Sequence, residues 1–570
     1  MDNPRLFLWI GLALLAWMNV IQWNRDFGAG AAPVAAAGAP AEGQEAPGTA
    51  ATSPESTQLP AMPTEQPSSA TAVASGAAGA ADATGASAAG AAPSVRVVTD
   101  VLDLGISLQG GTLVRADLPK YPHDKRPDSP PIRLLDTEEF DYHVVRSGLR
   151  ASNGRTEPTH LATYTGASPE YRLAPGASEL RVPLTWTDGQ GVTVTKTYVF
   201  RPGSYAIEIL YDVDNRSASD WSGASYVQIA RRNIEQKRSM FDVESFAYRG
   251  PAMYDGDKYR KLDVTDEDDA ALAQDVTNGW IASMQHHFVN VAVPPQGEPY
   301  HYTLGREGDH VLLTFRGPLE SVAAGATGHF AERVYVGPKL QEQLRTLGPR
   351  AELTADYGKL TILAQPLFWL LQKVHGIVGN WGWAIIIVTI LLKLLFYKLT
   401  ETSGRSMAKM RTIAPRIKSI QERYKDDREQ LAKQMMELYK REKINPVAGC
   451  LPILVQIPVF LAFYWVLLES VEMRQAPFMG WIQDLSSMDP YFVLPILMGA
   501  AMFGQFKLNP APPDPMQAKV FAFMPVVMTV MMAWFPSGLV LYWLTNTLLS
   551  IAQQWNINRV VELEAKKRGA

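Results

Sequence analysis

The sequence holds a single cysteine, Cys450, so no intramolecular disulfide can brace any part of it. Cys450 lies in an apolar run and reads as a small packing residue rather than a nucleophile. The apolar segments carry no Ser/His pair, no pair of aspartates and no HExxH arrangement, which argues against an intramembrane protease. His286-His287 is the one candidate for metal ligation, and adjacent residues of a strand face opposite ways, so no metal site and no cofactor is expected. Charge is nearly missing from five long apolar segments after residue 376. Lys393, in Trp381-Gly-Trp-Ala-Ile-Ile-Ile-Val-Thr-Ile-Leu-Leu-Lys393, is the only charged residue in their interiors. An ammonium in hydrocarbon costs roughly 2.5–3.5 kcal/mol on insertion scales, so it marks a functional site by default. The alternative is snorkelling, because Lys393 is about four residues, roughly 6 Å, from an interface at Tyr397-Lys398.

What charge there is divides unevenly. Residues 24–350 hold 29 basic and 40 acidic residues, whereas residues 351–570 hold 23 basic and 16 acidic. Leu6–Trp23 runs 18 residues without a charge, long enough to cross a bilayer as an anchor (residues 1–26); a cleaved signal peptide is the rival reading. Five further spans are expected at Ile377–Tyr397, Val447–Leu468, Tyr491–Phe506, Val520–Pro536 and Ser537–Trp555, the last two joined by Pro536-Ser537-Gly538. The loop 398–446 carries 13 Lys/Arg against 7 Asp/Glu, and the loop 469–490 one basic and four acidic residues. By the positive-inside rule a core of six transmembrane helices with both termini cytoplasmic and residues 24–350 outside is expected, and a large exported domain without disulfides fits a bacterial periplasm.

Residues 27–94 are mostly Ala, Gly, Pro, Ser and Thr, a composition that cannot bury a core and reads as a flexible linker. Residues 95–350 then alternate at period two. Leu184–Phe200 reads as a hairpin around Asp188-Gly189 and Tyr205–Asp214 as another strand, so a large antiparallel β-sandwich is expected. Residues 351–375 read as an amphipathic helix on the outer leaflet, 376–557 as a five-helix core, and 558–570 as a basic tail. Within 398–446, Met407, Met410, Ile413, Ile417, Ile420 and Tyr424 recur at helical spacing, as do Leu431, Met435, Leu438 and Tyr439. This predicts a helical hairpin, kinked near Pro415, with Asp426-Asp427 capping its second helix. Its other face bears Arg405, Lys409, Arg411, Arg416 and Lys418, either an ordinary positive-inside surface or a docking surface for ribosomal RNA or nascent chains.

Six motifs then occur in order: Ser406–Met410; Asn445-Pro446 with Gly449–Pro458; Leu468–Phe478; Leu494–Met498; Asp514–Gln517; and Phe535–Tyr542. Together they resemble the YidC/Oxa/Alb family of membrane protein insertases, in its long Gram-negative form with a large periplasmic domain. The resemblance implies a periplasmic β-supersandwich and a non-enzymatic insertase and chaperone for nascent inner-membrane proteins. It implies partners in those nascent chains, the Sec translocon, the ribosome and membrane lipids, and no DNA. It also implies a hydrophilic groove whose cation, usually arginine, maps onto Lys393; lysine keeps the charge and loses the bidentate fork. On that reading Lys393, Thr389, Gln456, Gln505, Thr545 and Asn546 line the groove, and Tyr542 and Trp543 contact substrate or form an interfacial aromatic belt. The short fourth and fifth spans favour local bilayer thinning.

Two rivals stand beside this. A secondary transporter would show matching halves with broken helices, and no such repeat is present. A membrane-anchored periplasmic enzyme or carbohydrate-binding protein would make the β domain the active part.

Overall fold

The computed structural model describes residues 93–152, 155–233, 247–424, 427–442, 451–508 and 515–569. The first apolar segment, the linker through residue 92, Asp426, Asn445-Pro446, Cys450 and Asp514 lie outside the described residues.

Residues 94–338 fold into two large sheets, one of eleven strands and one of nine. The expected hairpin is there: Leu180–Thr187 pairs antiparallel with Val192–Phe200. Asp188 Oδ1 accepts from the Gln190 and Val192 amides, and Gly189 takes a φ of 71°. Val182, Leu184 and Trp186 alternate inward from Leu180–Thr187. They join a core shared by both sheets that includes Trp221, Trp280, Tyr198, Tyr302 and Phe315.

The helical part contains α1 (Thr361–Val378), α2 (Trp381–Leu395), α3 (Tyr397–Arg423), α4 (Arg428–Arg441), α5 (Leu451–Glu469), α6 (Val493–Leu508), α7 (Pro515–Met532) and α8 (Ser537–Gly569). Helix α1 starts ten residues later than the expected 351, after two 3-10 turns. It buries Ala364, Leu367, Phe368 and Leu371 and exposes Ile362, Trp369 and Ile377. Helices α2, α5, α6, α7 and α8 fall at the five expected C-terminal spans, and two are short: α2 has 15 residues and α6 has 16. Among the described residues no single helix is long and apolar enough to cross a membrane alone. Trp381–Leu395 and Tyr397–Met410 pass together, across a 69° bend. Helix α8 departs furthest from expectation, running 33 residues through the region read as a basic tail.

The helical hairpin forms as the periodicity predicts. Ile413, Ile417 and Leu438 are buried together, with Met410, Ile420, Met435 and Tyr439 packed against them. Asp427 caps α4 by accepting from the Glu429 and Gln430 amides. Helix α3 runs through Pro415, and the sharp bend comes earlier, at Phe396. Ala408 packs on Ile557 and Val561 of α8. A Cβ at Gly404 would sit 2.7 Å from Ile557 Cδ1, so α3 and α8 touch closely there.

A polar seam joins the β domain to the loop after α5. Lys339 Nζ and Glu469 Oε2 lie 3.4 Å apart, both buried. Arg474 donates to the Pro122 carbonyl at 2.7 Å, and Gln475 Nε2 donates to the same oxygen at 2.9 Å. His286 Nε2 lies 3.0 Å from the Leu468 carbonyl. This corrects the reading of His286-His287 as strand neighbours facing opposite ways. They fall between Trp280–Met284 and Phe288–Val293, where the backbone turns and their rings stack at 3.8 Å. Burial, then His286, Lys339 and Arg474, holds His287 well below the usual imidazole range.

Candidate functional site: a polar recess beside Lys393

Helix α2 is fixed at its start by Asn380. Its Oδ1 caps the Trp383 amide at 3.1 Å, while its Nδ2 donates to the Pro477 and Phe478 carbonyls. That anchors the register of Thr389 and Lys393, one turn apart on one face. Thr389 is buried and spends its hydroxyl on the Ile385 carbonyl at 2.6 Å. Lys393 Nζ donates to Ser550 Oγ of α8 at 2.8 Å, and Ser550 in turn donates to the Asn546 carbonyl at 2.7 Å. Gln456 Nε2 of α5 donates to Asn546 Oδ1 at 2.9 Å. Among the described residues Lys393 forms no ion pair.

These groups border a small recess between α2, α3, α5 and α8. Thr389, Lys393, Gln456, Tyr542 and Asn546, all expected as groove residues, line it. Three others do not. Thr545 turns its hydroxyl onto the Leu541 carbonyl of its own helix. Trp543 packs edge-on to Phe460, and Gln505 is absent from the lining. Tyr542 borders the recess yet is only 2% exposed, stacked on Phe463 at 4.6 Å. It thus forms a packed wall of the recess.

Sequence reasoning missed Ser550 and Thr400, the second of which also lines the recess. They belong to a longer pattern. Asn546, Ser550, Gln553, Gln554 and Asn558 recur at spacings of three, four and one along one side of α8. Gln553 Nε2 donates to Thr400 Oγ1 at 2.8 Å, Gln554 Nε2 to Asn558 Oδ1 at 2.8 Å, and Asn558 Nδ2 to the Leu508 carbonyl at 3.4 Å. This ladder leads from the recess to the base of the hairpin. The helical period of these polar residues was its signal, and only Asn558 lies beyond the expected end at Trp555.

The hairpin cations are partly engaged within the chain. Arg405 pairs with Glu401 at 3.1 Å and with Glu564 at 3.3 Å, and Arg416 pairs with Glu442 at 2.7 Å. Lys409 and Lys418 are exposed, and the Arg411 side chain lies outside the described residues.

Known proteins match both halves. The family described as YidC periplasmic domain matches residues 94–370, and that described as 60Kd inner membrane protein matches residues 373–566. A membrane protein insertase YidC from Thioalkalivibrio sulfidiphilus is 48% identical over 579 residues, covering 100% of both chains. One from Azotobacter vinelandii is 43% identical, covering 99% of this chain and 100% of its own. A crystal structure of an active YidC insertase aligns with 81% of this chain and 92% of its own at 17% identity, with a TM-score of 0.36. A helical core with a polar recess, a large β domain and these full-length matches define a membrane protein insertase. The chain belongs to the YidC family.

Proposed function

We propose that this insertase moves the polar tails of nascent inner-membrane proteins through the recess at Lys393. Six spans, counting Leu6–Trp23, sit in the bacterial inner membrane with both termini and the hairpin cytoplasmic and the β domain periplasmic. The acidic loop 469–490 supports that orientation, because it bonds the β domain, while the basic hairpin 398–446 meets α8 at its far part. The protein acts alone on short substrates or beside the Sec translocon, and the exposed hairpin cations face nascent chains and the ribosome.

The physical case starts from desolvation. A polar tail in hydrocarbon loses its hydrogen bonds, at several kcal/mol per unsatisfied group. A polar recess partway through shortens the dry path. Lys393 adds a positive charge in a medium of low dielectric, where attraction for an acidic tail is stronger than in water. As lysine it acts as a point charge with rotatable donors, not a planar fork. The short α6 favours a thinned bilayer beside the recess, which shortens the path again. The observation that carries the reading is the Lys393 ammonium, bordering the recess and bonded to a single serine hydroxyl. The secondary transporter and the membrane-anchored enzyme have no comparable feature in their favour.

Reconstitution tests it. Pure-lipid vesicles holding this protein should protect a short, single-span, acidic-tailed substrate from added protease, and empty vesicles should not. Equal protection in both would contradict insertion by this chain alone.

A further inference from the structure

A lysine on α2 can send its ammonium in more than one direction. A flexible four-carbon stem separates Nζ from the backbone, and the interface expected at Tyr397-Lys398 lies about one turn further along the chain. For the charge of Lys393 to act at the recess, some group must hold the amine there. The serine and threonine hydroxyls around the recess are not equivalent in this respect. Thr389 lines the recess but donates to the Ile385 carbonyl of its own helix at 2.6 Å. Thr400 also lines it; its Oγ1 lies 3.0 Å from the Phe396 carbonyl and accepts from Gln553 Nε2 at 2.8 Å. Among the described residues Ser550 is the one that meets the amine, with Oγ 2.8 Å from Nζ.

Ser550 is arranged to accept. Its single hydroxyl proton goes to the Asn546 carbonyl, four residues earlier on α8, at 2.7 Å. The Oγ lone pairs are left for Nζ. Asn546 is held in turn, because its Oδ1 accepts from Gln456 Nε2 at 2.9 Å. A hydrogen-bonded chain thus runs from α5 through α8 to α2 and ends on the ammonium. The chemistry of its last link matters. A carboxylate in place of Ser550 would anchor the amine and cancel its charge; a neutral hydroxyl anchors it and leaves the charge in force.

We propose that Ser550 is a positioning residue for insertion, whose hydroxyl aims the Lys393 ammonium at the recess without neutralising it. Ser550 acts through Lys393 and not on the substrate, so its role rests on the reading of Lys393 given above.

Two readouts on the intact protein in pure-lipid vesicles test it. The first is the insertion rate of a short single-span substrate with an acidic or an amide-neutralised tail. Ser550→Ala should slow the acidic form about threefold, leave the neutral form nearly unchanged, and add nothing in a Lys393→Ala background. Ser550→Thr keeps the hydroxyl and its bond to the Asn546 carbonyl, so it should insert at the parental rate. The second readout needs no substrate: acetylation of Lys393 by acetic anhydride, followed by mass spectrometry and scaled to the exposed Lys398. Released from the serine, the amine should label about threefold faster in Ser550→Ala and at the parental rate in Ser550→Thr. Parental labelling of Lys393 in Ser550→Ala would overturn the tether whatever the insertion rate. An equal loss on acidic and neutral tails, or a loss that persists without Lys393, would overturn it as well, by marking a packing residue. A parental insertion rate for Ser550→Ala beside a slow Lys393→Ala would remove Ser550 and keep the Lys393 reading. No effect of either substitution on insertion would remove both.

Discussion

Lys196 in the β domain is fully buried and Lys393 in the helical core half-buried, and the two differ further in how many acceptors meet the amine. Lys196 is 0% exposed and donates to the Gly110, Gly111 and Ser147 carbonyls at 2.9, 3.2 and 2.9 Å. Its Nζ also lies 5.4–5.8 Å from the ring centroids of Tyr164, Tyr198 and Tyr211. Every proton is used, so nothing further can bind. Lys393 has one hydroxyl partner and borders unfilled space. A saturated buried lysine fixes a fold; an undersaturated one keeps donors for something that arrives later. Acceptor count and burial together separate the two lysines.

The largest change expected is at a third lysine, which sharpens the contrast because its partner is charged. Lys339→Met leaves Glu469 buried without its cation, at about 3–5 kcal/mol. The β domain should loosen from the core, seen as faster protease cleavage near residues 339–360 in the intact protein. Unchanged cleavage would mean the pair contributes little to docking. Lys196→Met should cost about 3 kcal/mol, because it strips donors from buried carbonyls. Thermal unfolding of the β domain reads it, and the protein that remains folded should insert substrate at the normal rate. A selective loss of insertion would break the distinction between the two lysines.

The next effect is a pH slope. Glu332 is buried, accepts from Ser225 Oγ at 2.5 Å, and is pushed up to about 8 by burial. Its folded pKa lies above the unfolded value, so the native state binds the extra proton. The stability it contributes is present at low pH and is lost as pH rises towards about 8. Glu332→Gln should flatten that slope and be more stable than the parent at pH 8 by about 2 kcal/mol. A parallel pH profile for the two would show that the carboxyl is ionised in the fold. The smallest effect on stability is predicted for Lys393→Ala, under about 1 kcal/mol, since it removes one hydrogen bond to a serine. A larger drop would make Lys393 a structural lysine like Lys196 and Lys339.

Much of this was legible in the chain because it rests on local periodicity. Strand alternation gave the 180–200 hairpin, and the 3.6 period gave the Met410, Ile413 and Ile417 face of α3. Lys393 stood out because charge is scarce around it. Thr389, Gln456 and Asn546 join it in the recess, as polar residues on apolar helices would. Gln505 and Thr545 share that polarity but not that position, and the sequence alone carried no signal of which helix face meets which neighbour. Ser550 was hidden for a different reason: its importance lies in a contact 157 residues away in sequence. The His286–His287 stack likewise depends on how elements pack and not on spacing.

The most direct test of the central claim is the insertion rate of one short substrate in two forms, with an acidic or an amide-neutralised outgoing tail. Each form would be presented to vesicles holding the parent protein, Lys393→Ala or Lys393→Arg. A working point charge predicts that Lys393→Ala slows the acidic-tailed form about tenfold, equivalent to about 1.4 kcal/mol, that Lys393→Arg restores it, and that the neutral form responds little. Equal rates for all three proteins on the acidic-tailed substrate would contradict the claim and leave Lys393 as a snorkelling residue.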